Sequence, residues 1–216
     1  MRSQIYTNTV STLLLETLQF LMNEKIFNTF RLVGGTALSL QLGHRQSIDI
    51  DLFTDLPYGA VDFIEIDYML HDNFEYVDSL TLTQVGMGKS FFIGKAKDSC
   101  IKLDVFYTEP FIKPAVNMNE LRLSHLDDLV AMKMDVITRG GRKKDFWDVH
   151  ELLRKYSLNE MLLLHQKRYP YVHERKESIK KLTDFEFADK DFDPICSKNK
   201  HWEIIKLDLF EATESI

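Results

Sequence analysis

Two aspartates one residue apart, Asp49 and Asp51, follow a glycine pair, Gly34 and Gly35, in the stretch RLVGGTALSLQLGHRQSIDIDLF over residues 31–53. Residues i and i+2 of a strand point to the same face. Two carboxylates side by side repel each other, so the pair is costly unless a cation sits between them. The pattern predicts a divalent-metal site. Gly34 and Gly35 precede an expected helix start, where a backbone without Cβ atoms lets phosphate come close and the first-turn N–H groups receive it. Thr36 either caps that helix or donates to phosphate. Ser47 shares the acidic face and either donates to a phosphate or stabilises a turn. Arg45 either contacts a phosphate or pairs with Asp49 or Asp51 when no metal is bound.

The elements that must hold these groups follow from periodicity. Apolar residues from Val10 to Met22 recur at helical spacing and predict a helix over 8–24. Phe30 to Val33 reads as a short buried strand, and Thr36 to Leu42 as a helix stopped by Gly43. Ile48 to Phe53 reads as the acidic strand, with Ile48, Ile50 and Leu52 alternating against Asp49 and Asp51. Pro57 and Gly59 mark a loop before a helix over Ala60 to His71. Residues 74–85, 89–97 and 100–107 read as three strands joined by short turns. In the last, Ile101, Leu103 and Val105 share one face while Lys102 and Asp104 share the other. Pro110 and Pro114 then break the chain. Ser124 with Asp127 resembles a capping box. Helices are expected over 124–138, 142–156, 157–169 and 172–183, a loop over 185–200, and a final helix from Trp202 to Ala212. Strands first and helices afterwards predict an α+β fold.

The glycine pair, the thirteen residues after it and Asp49-Ile50-Asp51 resemble the signature of polymerase-β-type nucleotidyltransferases. More closely, Gly34-Gly35-Thr36-Ala37-Leu38 followed by Arg45-x-Ser47-x-Asp49-Ile50-Asp51-Leu52-Phe53 is similar to the AbiEii/AbiGii toxin family. A second block agrees: Asp128 to Lys133, Arg139, Lys144-Asp145-x-x-Asp148, and Leu152-Leu153. The resemblance covers roughly residues 30–155. It implies a polymerase-β-like core, a mixed sheet with helices over 1–115, followed by a C-terminal helical bundle over 116–216 that completes the cleft. It also implies transfer of NMP from an NTP to an acceptor by a toxin of a toxin–antitoxin or abortive-infection system. RNA, tRNA above all, is the leading acceptor, and a cognate antitoxin is an expected partner. Transfer to a protein or a small molecule, and a non-catalytic nucleotide-binding regulator, are the alternatives.

Nucleotidyl transfer needs a neutralised triphosphate and a deprotonated hydroxyl, and two Mg²⁺ ions about 3.5–4 Å apart supply both. Asp49 and Asp51 are expected to bridge the metals. By the family's layout Asp104 completes the set and orients or deprotonates the attacking hydroxyl. Lys133 lies among Val130, Ala131, Met134 and Ile137, where a lysine more often snorkels; the resemblance instead implies that it binds the triphosphate. Lys144 and Asp145 join Gly34, Gly35, Thr36, Arg45 and Ser47 as expected nucleotide-binding residues. Asp145 either holds Lys133 or Arg139, and Asp148 does the same or caps its helix. Phe146, Trp147 and Val149 are expected in the core.

Composition narrows the class. The length of 216 residues suits one domain or two small ones, and 44% hydrophobic residues suffice for a core. The formal charge of −6 is not that of a globally basic nucleic-acid binder. Residues 139–181 nevertheless hold twelve Lys/Arg against six Asp/Glu, a basic segment able to face phosphates. Two cysteines mark no disulfide scaffold, so reduced thiols in a cytoplasmic protein are expected. The apolar stretch from Val10 to Met22 is too short to span a bilayer and has no cleavage-like end, so neither a membrane span nor a signal peptide is expected. The seven histidines show no zinc spacing, and neither GxxxxGK[ST] nor GxSxG occurs.

Overall fold

The computed structural model describes residues 5–79 and 86–216. Its strands are β1 (Arg31–Leu32), β2 (Ile50–Thr54), β3 (Tyr76–Ser79), β4 (Gly88–Ala96), β5 (Ser99–Tyr107), β6 (Val116–Met118) and β7 (Leu121–Leu123). The helices are α1 (Thr12–Asn23), α2 (Gly34–Leu42), α3 (Phe63–Asn73), α4 (Leu126–Thr138), α5 (Lys143–Leu152), α6 (Leu158–Arg168), α7 (Arg175–Lys181) and α8 (Trp202–Glu214). The strands form one mixed sheet in the order β3-β4-β5-β2-β1-β7-β6, so the fold is α+β.

Alternation explains the centre of the sheet. Ile50 and Leu52 of β2, with Leu103 and Val105 of β5, are fully buried. The other face of both strands is left to Asp51, Phe53 and Asp104. Strands β2 and β5 run parallel with Asp51 opposite Asp104, which places the two carboxylates side by side. Strand β1 pairs antiparallel with β2 and parallel with β7. One hydrophobic core runs from Leu14 of α1 to Leu209 of α8 and includes Leu129, Met134, Phe146 and Trp147. Among the described residues no helix is long and apolar enough to cross a membrane.

Several boundaries differ from expectation, for local reasons. Helix α1 starts at Thr12 because the Ser11 hydroxyl accepts from Leu14 N; residues Thr7–Thr9 form a separate 3₁₀ turn. Helix α3 starts at Phe63 because the Asp62 carboxylate accepts from Ile64 N and Glu65 N. No capping box forms at Ser124: His125 caps α4, accepting from Asp127 N, while Ser124 is buried. Ile48 is 74% exposed and Asp49 precedes the first paired residue, since β2 begins only at Ile50. The loop over 185–200 contains a 3₁₀ turn, Ala188–Lys190. The strand expected over 74–85 is seen as Tyr76–Ser79, and residues 80–85 lie outside the described residues. The hairpin β6–β7 was not anticipated; it extends the sheet beyond residue 115 through the pairing of β7 with β1.

Candidate active site

The acidic wall comes from β2, β5 and the residue just before β2. The Asp104 carboxylate accepts from Ser90 Oγ of β4 at 2.6 Å and pairs with Lys102 Nζ at 2.5 Å. Asp49 Oδ2 lies 3.8 Å from Lys144 Nζ. Burial, then the neighbouring Asp104 and Asp49, push the Asp51 carboxyl up to about 6.

Gly34 and Gly35 open α2 directly beneath this wall. Gly34 has φ +68°, and a Cβ there would meet Asp51 Oδ2 at 2.2 Å. A Cβ on Gly35 would meet Arg45 Nη2 at 2.3 Å. Val33 N donates to Asp51 O at 2.9 Å, which seats the helix start against β2. The first turn of an α-helix has N–H groups without intrahelical acceptors. Thr36 corrects an expectation. It neither caps α2, whose N-cap is Val33, nor faces the cleft. Fully buried, its hydroxyl bonds to the Asp49 carbonyl and reaches Ser47 Oγ at 2.9 Å, so it pins the Ser47–Asp49 segment.

The opposite wall is one face of α4. Leu129, Met132, Lys133 and Val136 recur at i, i+3, i+4 and i+7 and point into the cleft. Lys133 is buried, with Nζ 2.6 Å from Asp145 and 2.8 Å from Asp148. Burial alone would lower its pKa, but Asp145 and Asp148 outweigh burial and hold it above the ordinary lysine value. Arg45 pairs with neither Asp49 nor Asp51, the pairing expected in the absence of metal. Its Nε and Nη2 grip the Asp148 carboxylate at 2.6 and 2.8 Å. His44 Nε2 meets the same carboxylate at 2.7 Å. Against the upward push of burial, Arg45 and Lys133 hold Asp148 well below the usual carboxylate range. Asp145 resolves toward Lys133; Arg139 pairs with Asp135 instead. Asp145 also accepts from Arg142 N at 3.0 Å, fixing the start of α5.

These groups line one cleft of about 290 Å³. Gly34, Gly35, Arg45, Ser47, Asp49, Asp51, Asp104, Lys133, Lys144 and Asp145 all reach it; Thr36 and Asp148 stand behind it. The core placement of Phe146, Trp147 and Val149 is observed. Residues not singled out beforehand include Lys102 and Ser90, which hold Asp104, and His44, which holds Asp148. Phe53, Leu129, Met132 and Val136 give the cleft an apolar side. Lys102 had a signal, its place on the Asp104 face of β5. Among the described residues no three His, Cys, Asp or Glu side chains stand in one metal-holding group. Lys102 and Ser90 hold Asp104, and Lys144 lies beside Asp49.

Comparison with known proteins identifies the family and the fold. The family model described as nucleotidyl transferase AbiEii toxin, type IV toxin–antitoxin system, matches residues 18–215. An uncharacterised protein of Aquifex aeolicus is 31% identical over 163 residues, 71% of this chain and 73% of that one. The Helicobacter pylori protein JHP933 shares the fold with a TM-score of 0.61 at 17% identity, covering 95% of this chain and 92% of its own. MenT4, a nucleotidyltransferase toxin of Mycobacterium tuberculosis, aligns with a TM-score of 0.62 at 14% identity, covering 94% of this chain and 84% of its own. With the match running across nearly its whole length, the chain belongs to the AbiEii family of nucleotidyltransferase toxins of type IV toxin–antitoxin systems.

Proposed function

We propose that this nucleotidyltransferase moves NMP from an NTP to RNA, tRNA above all, with Mg²⁺ held by Asp49, Asp51 and Asp104. The observation that carries the reading is Asp51 in register with Asp104, facing Lys133 across a cleft floored by Gly34 and Gly35. The donor chemistry suits a hard cation, although among the described residues the three carboxylates do not stand as one metal-holding group; burial first, then Asp104 and Asp49, raise the Asp51 carboxyl. Lys102 and Lys144 shield Asp104 and Asp49 in the metal-free protein, and both must yield when a cation enters. Bound Mg²⁺ neutralises the triphosphate and activates the acceptor hydroxyl.

The chain's own groups do the rest. The first turn of α2 and the Ser47 hydroxyl receive the β- and γ-phosphates. Lys133, fixed by Asp145 and Asp148, meets the charge that grows on the departing pyrophosphate. Lys144, released from Asp49, adds a second cation there. Asp104, oriented by Ser90, aligns the acceptor hydroxyl or takes its proton. The hydroxyl oxygen bonds to the α-phosphorus, the α–β bridging bond breaks, and pyrophosphate leaves. Phe53, Met132 and Val136 exclude water on the apolar side. NTP and tRNA place the reaction in the cytoplasm, where a cognate antitoxin restrains it.

Incubation with total tRNA, labelled NTPs and Mg²⁺ tests the proposal. Label should enter RNA with the parent and not with Asp104→Asn. Label on protein alone, or no label, overturns the acceptor assignment.

A further inference from the structure

We propose that the groove beside the cleft, walled by Ile48, Phe192 and Ile195, is the platform on which the terminal unpaired nucleotide of the RNA acceptor lies. This rests on the acceptor reading above and names the surface that would serve it.

Phe192 is 92% exposed, Ile48 74% and Ile195 66%. Single exposed apolar residues are ordinary, but these three surround one groove of about 260 Å³. The groove shares Arg45, Ser47, Asp49 and Lys144 with the cleft, so the two cavities meet at the acidic wall. A chain end lying in the groove therefore arrives at the carboxylates.

The platform is held rigidly. Gln46 N donates to Ile195 O and Ser197 N to His44 O, each at 2.9 Å, which ties the segment to the strip bearing Arg45 and Ser47. Arg142 grips the Asp191 carboxylate with two bonds of 3.0 Å, and that carboxylate accepts from Phe192 N at 3.0 Å. The Phe192 ring is thus displayed to solvent on fixed backbone. Each of the groove's three acids has a basic neighbour: Asp191 has Arg142, Asp193 has Lys143 and Asp49 has Lys144. Lys144 lines both cavities and so puts a positive charge at the junction of groove and cleft. A flat aromatic face beside a cation is the arrangement on which unpaired bases stack.

Steady-state kinetics of the full chain, with the Michaelis constants for RNA and NTP measured separately, test the platform. Phe192→Ala should raise KM for RNA by about 5- to 150-fold, the range for loss of one stacked base. KM for NTP should not change, and Phe192→Trp should keep parental RNA affinity. The exposed ring contributes little to the core, and an unchanged Tm verifies that the variant is folded. An alanine variant with parental KM for RNA overturns the platform and leaves Phe192 to a protein partner. A rise of both constants together also overturns it. A parent that labels no RNA defeats the acceptor reading itself, a separate and visible failure.

Discussion

Asp51 bears most of the strain of the acidic wall. Burial, Asp104 and Asp49 raise its carboxyl from 3.8 to about 6. A folded pKa above the unfolded one stabilises fully below the unfolded value, and that contribution is lost as pH rises through the folded value. The metal-free protein should therefore lose about 1–3 kcal/mol between pH ~4 and ~7 from this group. Asp51→Asn should not show the loss, should be the more stable protein above pH ~6, and should not transfer NMP. Thermal unfolding in chelator across that range checks it, and parallel curves for the two proteins refute the assignment. The residue types of this wall were legible because Asp49, Asp51 and Asp104 each stand in a visible alternation. What they bond to without metal was not. Ser90 sits on β4 and reaches Asp104 only through the pairing of β4 with β5, which no local pattern encodes.

At the scale of elements, the turn from β1 into α2 is the most constrained piece of backbone. Gly34 combines φ +68° with a virtual Cβ 2.2 Å from an Asp51 oxygen, whereas Gly140, at φ +96°, has nothing within 4 Å. Gly34→Ala should abolish transfer by displacing Asp51. Gly140→Ala should cost about 1 kcal/mol of backbone strain and keep activity. Comparing Tm and transfer rate for the two separates strain from steric intrusion; an active Gly34→Ala would contradict the geometry. Glycine spacing made this turn readable. The β6–β7 hairpin was not, because its two-residue loop is Asn119-Glu120, with φ +46° and +67°. Such a turn usually announces itself by Asn-Gly or Asp-Gly. Its strands have three residues each, too few for a period to emerge. The helical half was readable in outline from apolar spacing, but its exact starts depend on which side chain caps, as Asp62 and His125 show.

Across the whole molecule, the cleft is held together by one buried carboxylate. Asp148 on α5 is fully buried and binds Arg45 and His44 from the strip before β2 and Lys133 from α4. The sequence leaves its role open between partner and cap; the long-range pairing to residues 44 and 45, more than a hundred positions away, decides for partner. Removing one charge from a buried set leaves the others uncompensated, at a cost of about 3–5 kcal/mol. Asp148→Asn should therefore lower stability by that order and lower transfer too, since Arg45 and Lys133 lose their common anchor. Glu186→Gln, at the exposed pair with Lys190, should leave both unchanged. The pH response distinguishes the mechanisms. Arg45 and Lys133 hold Asp148 well below 3.8 against its burial, so its contribution is present above pH ~4 and is lost only as pH falls further. This trend is opposite to that of Asp51. Chemical denaturation of parent and Asp148→Asn at pH ~7 and ~3.5 should show the difference between them shrinking at the lower pH, and a difference that stays constant would show that Asp148 acts through packing rather than charge.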